Sequence, residues 1–459
     1  MFFRQVINED LGCASYVIAD AGEAAVVDPM WEVDEYLRLA EEHDFRIVHV
    51  VETHNHADHV SGRGRLAKAT GASIHISKEA GVDYDNEPLA DGDALDVGKA
   101  RLVALATPGH RPEHMSFIVE DRSRAKSPWA VLTGDLLFVG DLARPDLAIE
   151  PDEGARGMLG SLRRVVELGD PVEIWPGHVG GSLCGGAGMS EKPSSTVGFE
   201  RQHNRFLRIA AEEEFVRALT GELAPQPPNF HRIVELNRGP LLAEAAPLEA
   251  LSPARVEELI DAGAVVVDAR EPFEYDGAHI PRSLHVTSIK SGVGTRAAWG
   301  IDSESGVIAL AASDEEARRF GRTLEAVGFR RLEGYLAGGI AAWRQARGEL
   351  ESTPALDVDG LAERLRSREV RLLDVREDDE WNRGHVAGSL HVPYFKLREG
   401  VPQGVSEGDG KPLAVACSAG VRSGLAASLL RRMGVKRVEH VAKGGIQGLP
   451  KRGIELVRD

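Results

Sequence analysis

Residues 46–62 read RIVHVVETHNHADHVSG, an apolar run that leads directly into a cluster of residues able to bind a metal. The β-branched run from Arg46 to Val51 predicts a buried strand, and a helix is expected to begin near Gly62. Between them lie three imidazoles and one carboxylate, namely His54, His56, Asp58 and His59. Four possible metal ligands within six residues are improbable as ordinary surface residues. The stretch therefore predicts a metal site at the end of a strand.

Three more ligand types follow apolar strands further along the chain. They are His110 in ATPGHRPEH, Asp135 in LTGDLLF and His178 in IWPGH. Each stands beside glycine, where a backbone can turn close to a metal. Seven candidate ligands therefore come from four separate strand ends.

Short strands alternate with turns and helices over roughly the first 200 residues, which predicts a strand-rich α/β domain. A helical stretch is expected from about Phe199 to Leu219. The segment GELAPQPPNFHRIVELNRGP at residues 221–240 has the prolines and the lack of period that are typical of a linker. We therefore expect a first domain at residues 1–245.

Length and charge limit the functions to be considered. A chain of 459 residues suggests about three domains. A formal net charge of -18, without a basic stripe, argues against a nucleic-acid surface. Charges interrupt every short apolar run in the first twenty residues, so we expect neither a signal peptide nor a membrane span there. We therefore expect a cytoplasmic protein. Three widely spaced cysteines do not suit a disulfide framework.

Beyond residue 245 the chain repeats itself with an offset of 106 residues. VVVDAREPFEYDGAHIPRSLHV from Val265 matches RLLDVREDDEWNRGHVAGSLHV from Arg371. Two copies of one domain are therefore expected at residues 246–352 and 353–459. The alternation of helices and buried strands in each copy predicts a small doubly wound α/β sheet, with function at the strand ends.

The second copy carries a cysteine loop in AVACSAGVRSGLAASLL. Cys417 ends a predicted strand, and Ser418, Gly420 and Arg422 form a turn before a helix expected to begin near Ser423. Backbone N–H groups of such a loop converge on the sulfur and, with Arg422, favour a thiolate and a bound anion. The loop therefore predicts a cradle for a persulfide.

The first copy lacks both the nucleophile and the cation. At the same offset Ala311 stands in place of Cys417, and Glu316 in place of Arg422. The neighbouring Asp314 and Glu315 add negative charge that repels a thiosulfate or persulfide anion. We expect this copy to be inactive and to serve in packing or orientation.

The last domain resembles the rhodanese family of sulfurtransferases through LLDVRE, GHVAGSLHVP, the loop that starts at Cys417, and KGGI. The resemblance implies that Cys417 accepts a sulfane sulfur and passes it to a nucleophile. Asp374 and Arg376 are predicted to form a structural ion pair, and His385 to be a packed histidine.

The pattern of residues 1–245 resembles the metallo-β-lactamase superfamily, which implies an αββα sandwich of two sheets between helices. Two ligand assignments stay open. A glyoxalase II-like thioester hydrolase would hold two zinc ions, one on His54, His56 and His110, with Asp135 bridging to the other. The second ion would then be held by Asp58, His59 and His178.

The rival assignment takes only His54, His110 and Asp135, the two imidazoles and one carboxylate of mononuclear non-haem iron oxygenases. It resembles the site of the persulfide dioxygenases, and it implies one Fe(II) per chain. The remaining residues, His56, Asp58, His59 and His178, would then orient the ligands and the substrate.

Two residues are candidates for contact with the substrate. Arg144, in LLFVGDLARPDL, resembles the dioxygenase arginine that holds the anionic substrate, although Ala143 stands where that family has glycine. A salt bridge with Asp146 is the alternative. Cys184 could meet substrate sulfur or have no role, and Cys13 is expected in the core.

The whole chain resembles the persulfide dioxygenase–rhodanese fusion proteins of bacterial sulfide detoxification. The resemblance implies that a low-molecular-weight persulfide and O2 give sulfite and thiol, and that Cys417 transfers sulfur to sulfite to make thiosulfate. The alternatives are a thioester hydrolase fused to a sulfurtransferase, and a sulfur-relay scaffold whose metal domain is not an oxygenase. The thiol carrier, and whether the inactive copy docks the active one or builds a homo-oligomer, stay open.

Overall fold

A computed structural model describes residues 1–125, 127–180, 182, 184–186, 188–221, 223–288, 292–405 and 410–458. The chain divides into two compact units. The first comprises residues 1–245 with 326–328, and the second comprises residues 246–325 with 329–459. Among the described residues, no helix combines the length and the apolar character needed to cross a membrane.

The first unit contains two six-stranded sheets. One has the order β1-β2-β3-β4-β5-β6 and the other the order β12-β11-β10-β9-β8-β7. The first sheet consists of β1 (Phe2–Asn8), β2 (Cys13–Asp20), β3 (Glu23–Val27), β4 (Arg46–Val51), β5 (Ser73–Ser77) and β6 (Glu87–Leu89). The second consists of β7 (Ala94–Val97), β8 (Ala100–Ala106), β9 (Met115–Asp121), β10 (Ala130–Gly134), β11 (Glu173–Pro176) and β12 (Ser195–Thr196).

Side chains from both sheets of this unit meet in one apolar core, which includes Tyr16, Ile18, Phe117 and Leu132. The helices of the unit are α1 (Asp34–Glu42), α2 (Arg63–Thr70), α3 (Pro151–Val166), α4 (Val197–His203), α5 (Glu212–Thr220) and α6 (Phe230–Arg238). Further apolar clusters bury the helices against the outer faces of the sheets. Helices thus lie outside two stacked sheets, and the prediction of an αββα sandwich is confirmed.

Two sequence predictions about the end of this unit are wrong. The helical stretch expected from Phe199 to Leu219 is two helices, α4 and α5, separated by residues 204–211. The predicted linker contains a helix, α6, which buries Phe230, Ile233 and Asn237. This helix has only nine residues and follows a run of prolines, so the composition of the segment does not predict it.

The second unit contains two five-stranded parallel sheets of the same design. The sheet orders are β13-β17-β16-β14-β15 and β18-β23-β22-β19-β21. The first copy has β13 (Ala250–Leu251), α7 (Pro253–Asp261), β14 (Val265–Asp268), α8 (Pro272–Gly277), β15 (Leu284–His285), α9 (Val293–Gly300), β16 (Val307–Leu310), α10 (Asp314–Ala326), β17 (Leu332–Leu336) and α11 (Gly339–Ala346).

The second copy has β18 (Ala355–Asp357), α12 (Val358–Arg366), β19 (Arg371–Asp374), α13 (Asp378–Arg383), β20 (His385–Val386), β21 (Leu390–His391), β22 (Leu413–Ala416), α14 (Val421–Arg432), β23 (Val438–Lys443) and β24 (Leu456–Val457). A 3-10 helix spans Tyr394–Glu399. Strands β14, β15, β16 and β17 begin 106 residues before β19, β21, β22 and β23, so the offset found in the sequence is also the structural offset. The expectation of two doubly wound α/β domains is confirmed.

Candidate functional site

The predicted metal ligands converge where the strands of the first unit end. His54 follows β4, His110 follows β8, and Asp135 directly follows β10. One ligand atom from each of the three lies within 4.8 Å of the others. All three side chains are at most 1% exposed. The sequence therefore identified a real cluster, although its members are separated by up to 81 positions.

The hydrogen bonds around this trio fix the tautomers of both imidazoles. His54 Nδ1 lies 2.8 Å from the hydroxyl of Thr53, which itself donates to Asp28. His110 Nδ1 lies 2.8 Å from the carbonyl oxygen of Arg144 and donates to it. Each Nδ1 therefore carries the proton, and each Nε2 presents a lone pair to the cluster.

Among the described residues, the atoms that this trio turns toward the cluster make no hydrogen bonds. His54 Nε2, His110 Nε2 and both carboxylate oxygens of Asp135 are buried without a hydrogen bond. Burial holds the pKa of both histidines below its usual value, so they are neutral. Burial alone would raise the pKa of Asp135, but His178 and His110 lower it to about 2. Two neutral imidazoles and one carboxylate, all orphaned, fit a divalent metal ion.

His56 is directed away from this trio. Its Nε2 lies 3.2 Å from Asp28 Oδ1 and 3.2 Å from Glu52 Oε2. Burial would lower the pKa of His56, but the two carboxylates raise it to about 10. Its Nδ1, on the other side of the ring, is buried without a hydrogen bond in the described part of the chain. Asp28 and Glu52 were not among the predicted site residues, because neither stands in the ligand-rich loop.

Asp58, His59 and His178 surround a second corner of the site. His59 Nδ1 is 3.2 Å from Asp58 Oδ1, and His178 Nε2 is 3.4 Å from Asp58 Oδ2. His178 also lies 3.3 Å from Asp135 Oδ2. Asp58, His59 and His56 form a further potential metal group. Within the described part of the chain, neither complete zinc set of the hydrolase assignment gathers as one group.

Two cysteines lie at this corner. Cys13 Sγ is 3.1 Å from Asp58 Oδ2, and Cys184 forms a potential ligand group with Asp135 and His178. Burial raises the pKa of Cys184 to about 12, and it raises that of Cys13 well above its usual value. Cys13 is buried as expected, but it is also part of the site, where an isolated bridge pairs it with His178.

Further residues that the sequence did not reveal hold the ligands in place. His114 Nε2 accepts the backbone N–H of Asp135 at 3.0 Å, and burial lowers its pKa to about 4, so it is neutral. Asn237 on α6 donates from Nδ2 to the carbonyls of His56 and His59, both at 2.9 Å. The segment predicted as a linker thus fixes the metal-binding loop.

Arg144 makes the alternative contact considered for it. Its guanidinium forms two hydrogen bonds to Asp146, at 2.7 and 2.8 Å, and a third to the carbonyl of Ala224. Only 6% of the residue is exposed. The contact of Arg144 with the substrate stays a prediction, whereas its carbonyl orients His110 in the structure.

In the second unit, the cysteine loop has the expected course. Cys417 follows β22, and the N–H of Gly420 donates to its sulfur at 3.1 Å. Helix α14 begins at Val421, two residues before the predicted start. Gly420 has φ of 95°, and a Cβ there would lie 2.2 Å from the carbonyl oxygen of Ala442, so this turn requires glycine.

Arg422 is held beside the loop by Glu380 of α13. Arg422 Nη2 donates to Glu380 Oε1 at 2.9 Å, and Ser418 donates to the same oxygen at 2.7 Å. Burial would raise the pKa of Glu380, but its contacts with Arg422 lower it to about 2. Glu380 recurs in the repeat, yet it was not among the predicted site residues. An anion bound at the loop would therefore share Arg422 with this carboxylate.

The remaining predictions for the repeat agree with the structure. Asp374 and Arg376 form a buried ion pair at 2.6 Å, and His385 stacks on Trp381 with ring centroids 3.6 Å apart. In the first copy Ala311 follows β16, and helix α10 begins with Asp314, Glu315 and Glu316.

Comparisons with known proteins match both units. Residues 8–178 match the metallo-beta-lactamase superfamily, and residues 252–346 and 357–450 each match the rhodanese-like domain. Mitochondrial persulfide dioxygenase ETHE1 of Bos taurus is 29% identical over 243 residues, which is 52% of this chain and 87% of that protein. Hydroxyacylglutathione hydrolase of Anaeromyxobacter dehalogenans is 33% identical over 166 residues, 36% of this chain and 60% of that protein.

One crystal structure, a metallo-beta-lactamase from Staphylococcus aureus, matches with a TM-score of 0.67 and 28% identity. The match covers 73% of this chain and 99% of that one.

Proposed function

We propose that this chain, which joins a metallo-beta-lactamase superfamily domain to two rhodanese-like domains, is an enzyme of sulfur metabolism that oxidises persulfides. In the first reaction a persulfide R–S–SH, O2 and water give the thiol R–SH and sulfurous acid, which ionises to sulfite. In the second, a persulfide on Cys417 gives its outer sulfur to sulfite. Thiosulfate leaves, and the Cys417 thiolate is restored.

The observation that carries the proposal is the three-ligand set. His54, His110 and Asp135 are buried and close together, with His54 Nε2, His110 Nε2 and the carboxylate of Asp135 making no hydrogen bond among the described residues, while Nε2 of His56 faces two carboxylates instead. Two imidazoles and one carboxylate with open positions are typical of non-haem iron(II) oxygenases, whereas the dinuclear assignment needs His56 as a ligand. The persulfide dioxygenase relatives support the same interpretation.

The residues of the chain prepare the site before any ligand arrives. Thr53 and the carbonyl of Arg144 hold the two imidazoles with Nε2 facing inward, and His114 holds the backbone of Asp135. Iron(II) bound there would supply open coordination positions and the redox chemistry that O2 needs. Burial of all three ligands excludes bulk water, which favours a controlled reaction of a labile sulfur compound.

The substrate persulfide carries a negative charge that the chain must balance. The carboxylate of Asp146 neutralises Arg144 in the structure. For Arg144 to hold a carboxylate of the substrate, that carboxylate must take the place of Asp146. Cys13 and Cys184 remain protonated thiols at neutral pH because burial raises the pKa of each, so they offer weak donors rather than negative charge beside the site.

The sulfur-transfer half rests on the cysteine loop. The N–H of Gly420 faces the Cys417 sulfur, and Arg422 lies at the first turn of the helix that follows. These donors would stabilise the terminal anion of a cysteine persulfide. The resulting enzyme would convert reactive sulfide-derived species to the less reactive thiosulfate.

Two parallel assays test the proposal. The iron-loaded chain is given glutathione persulfide with O2, and separately a glutathione thioester without O2. We expect sulfite and thiosulfate from the first assay and no turnover in the second. Thioester hydrolysis with two metal ions per chain would instead establish a hydrolase, and sulfur transfer without oxygen uptake would establish a relay scaffold.

A further inference from the structure

A line of four buried polar side chains leads from the cysteine-less rhodanese-like domain to the sulfur of Cys417. Asp276, near the end of α8, places Oδ2 at 2.8 Å from Nδ1 of His440, which lies on β23 of the other copy. His440 Nε2 is 3.2 Å from the hydroxyl of Ser423, and that hydroxyl is 3.4 Å from Cys417 Sγ. Each of the four residues is at most 2% exposed.

An acceptor lies at each ring nitrogen of His440. Nδ1 faces the carboxylate of Asp276, and Nε2 lies 3.0 Å from the carbonyl of Gly420. Both partners accept hydrogen bonds, so both ring nitrogens must donate if both contacts are to be satisfied. The carboxylate of Asp276 thereby fixes the orientation of the buried ring.

The partner that Nε2 of His440 takes decides which partners Ser423 has. When Nε2 donates to Gly420, it does not accept from Ser423, so the Ser423 hydroxyl has two acceptors left, the carbonyl of Val441 at 3.2 Å and the Cys417 sulfur at 3.4 Å. When Nε2 is bare, it attracts that hydroxyl, and the Gly420 carbonyl loses its donor. The N–H of the same Gly420 donates to the sulfur, so the peptide that His440 holds belongs to the cradle itself.

We propose that Asp276 of the cysteine-less domain is a positioning residue for sulfur transfer at Cys417. It holds the His440 ring so that both nitrogens donate, which fixes the Gly420 turn and lets the Ser423 hydroxyl turn from the Val441 carbonyl to the negatively charged sulfur of the thiolate. The inference rests on the proposed sulfurtransferase activity, and it gives the domain that lacks a nucleophile a defined part in the reaction.

The contact is not a by-product of the repeat. At the offset of 106 residues Asp276 corresponds to Asn382, and His440 corresponds to Gly334. Neither half of the pair therefore has a counterpart in the other copy. The pair connects the two copies in one direction only, toward the copy that has the cysteine.

Other charged and titratable groups also face this region. On the loop side Arg422 lies with Glu380 and Glu377. His285 packs against Gly424, where an added Cβ would lie 2.4 Å from Nδ1 of His285. Burial, followed by the neighbouring His440, lowers the pKa of His285 to about 3, so it adds no charge at neutral pH.

The test compares D276N with E274Q in the full-length chain. Both remove one carboxylate from α8, but Glu274 is exposed. Sulfur transfer from thiosulfate to cyanide is measured between pH 6 and pH 10, together with the rate of Cys417 alkylation by iodoacetamide. In this assay the thiolate takes the outer sulfur and releases sulfite, and cyanide then removes that sulfur as thiocyanate.

For D276N we expect kcat/KM to fall about tenfold and the alkylation profile to move about one pH unit upward, because the thiolate loses a hydrogen-bond donor that the Asp276–His440 pair holds in place. The E274Q variant should match the wild type, and D276E should restore part of the rate. An unchanged pH profile in D276N would overturn the inference, even if thermal stability falls. If D276N does not fold, S423A, which keeps the Asp276–His440 pair, must show the same upward shift.

A failure of the proposed function is distinguishable from a failure of this inference. If the wild-type chain transfers no sulfur, the sulfurtransferase assignment is wrong. If the wild type transfers sulfur and D276N equals it at every pH, only the role of Asp276 is wrong.

Discussion

Replacing Gly177 with alanine should weaken the metal site without unfolding the domain. A Cβ at this position would lie 2.6 Å from Oδ1 of Asp135, whereas ordinary contacts begin near 3.4 Å. The backbone of Gly177 cannot easily retreat, because its N–H donates to Gly134 at 2.9 Å and its carbonyl accepts from Ala14 at 2.8 Å. The Asp135 carboxylate must therefore move by about 0.8 Å, more than the roughly 0.5 Å that a preorganised site tolerates.

We expect the affinity of G177A for iron(II) to fall by about 10- to 100-fold, the loss typical when the support of a metal ligand is disturbed. The assay is anaerobic titration of the metal-free protein, with the metal retained per chain measured after dialysis. Thermal unfolding of the same sample shows that the fold persists.

The matched control is G160A, on the exposed face of α3, where a Cβ meets nothing within 4 Å. That substitution should leave metal binding unchanged and stabilise the helix by about 0.5–1 kcal/mol. Wild-type iron affinity in G177A would refute the assignment of Asp135 as a tightly positioned ligand.

Three further predictions concern other parts of the chain. Replacing Cys417 with serine should abolish sulfur transfer while oxygen uptake continues, so sulfite accumulates in place of thiosulfate; continued thiosulfate output would contradict the proposed division of labour. Replacing Asn237 with alanine removes donors to two loop carbonyls and should cost about 1–3 kcal/mol in denaturant unfolding, with weaker metal retention; unchanged stability would show that α6 does not hold the loop. In the folded, metal-free protein at pH 8, Cys13 and Cys184 should react with iodoacetamide far more slowly than after unfolding, because burial raises the pKa of both thiols; equal rates by peptide mass spectrometry would contradict this.

Local patterns in the sequence predicted the strands and the ligands that follow them. A buried strand ends in a turn, and polar residues placed there, such as His54 and Asp135, can only lie at the edge of a sheet. The repeat was equally accessible, because an offset shared by many residues reflects a shared fold. The strand starts of the two copies keep that offset in the structure.

Contacts between segments that are far apart in the sequence could not be predicted in this way. Nothing near Cys13 indicates that it reaches Asp58, since the two meet only when β2 and the loop after β4 come together. Asn237 stood in a stretch whose prolines resemble a linker, and its function depends on loop carbonyls 178 and 181 positions away. Asp276 gave no signal, because its partner lies in a different copy of the repeat.

The choice between one metal and two shows the same limit. From the sequence alone, His54 and His56 are equally good candidate ligands. Only the structure shows that Nε2 of His56 lies between Asp28 and Glu52. The direction of one imidazole thus bears on the choice between the two candidate chemistries, and composition contains no information about it.

Oxygen uptake by the anaerobically prepared, iron-loaded chain on addition of glutathione persulfide tests the central claim most directly, with metal content determined on the same sample. We predict rapid uptake that depends on the persulfide, at one iron per chain. No uptake from a chain that holds two zinc ions would contradict the account and assign residues 53–59 to a hydrolase.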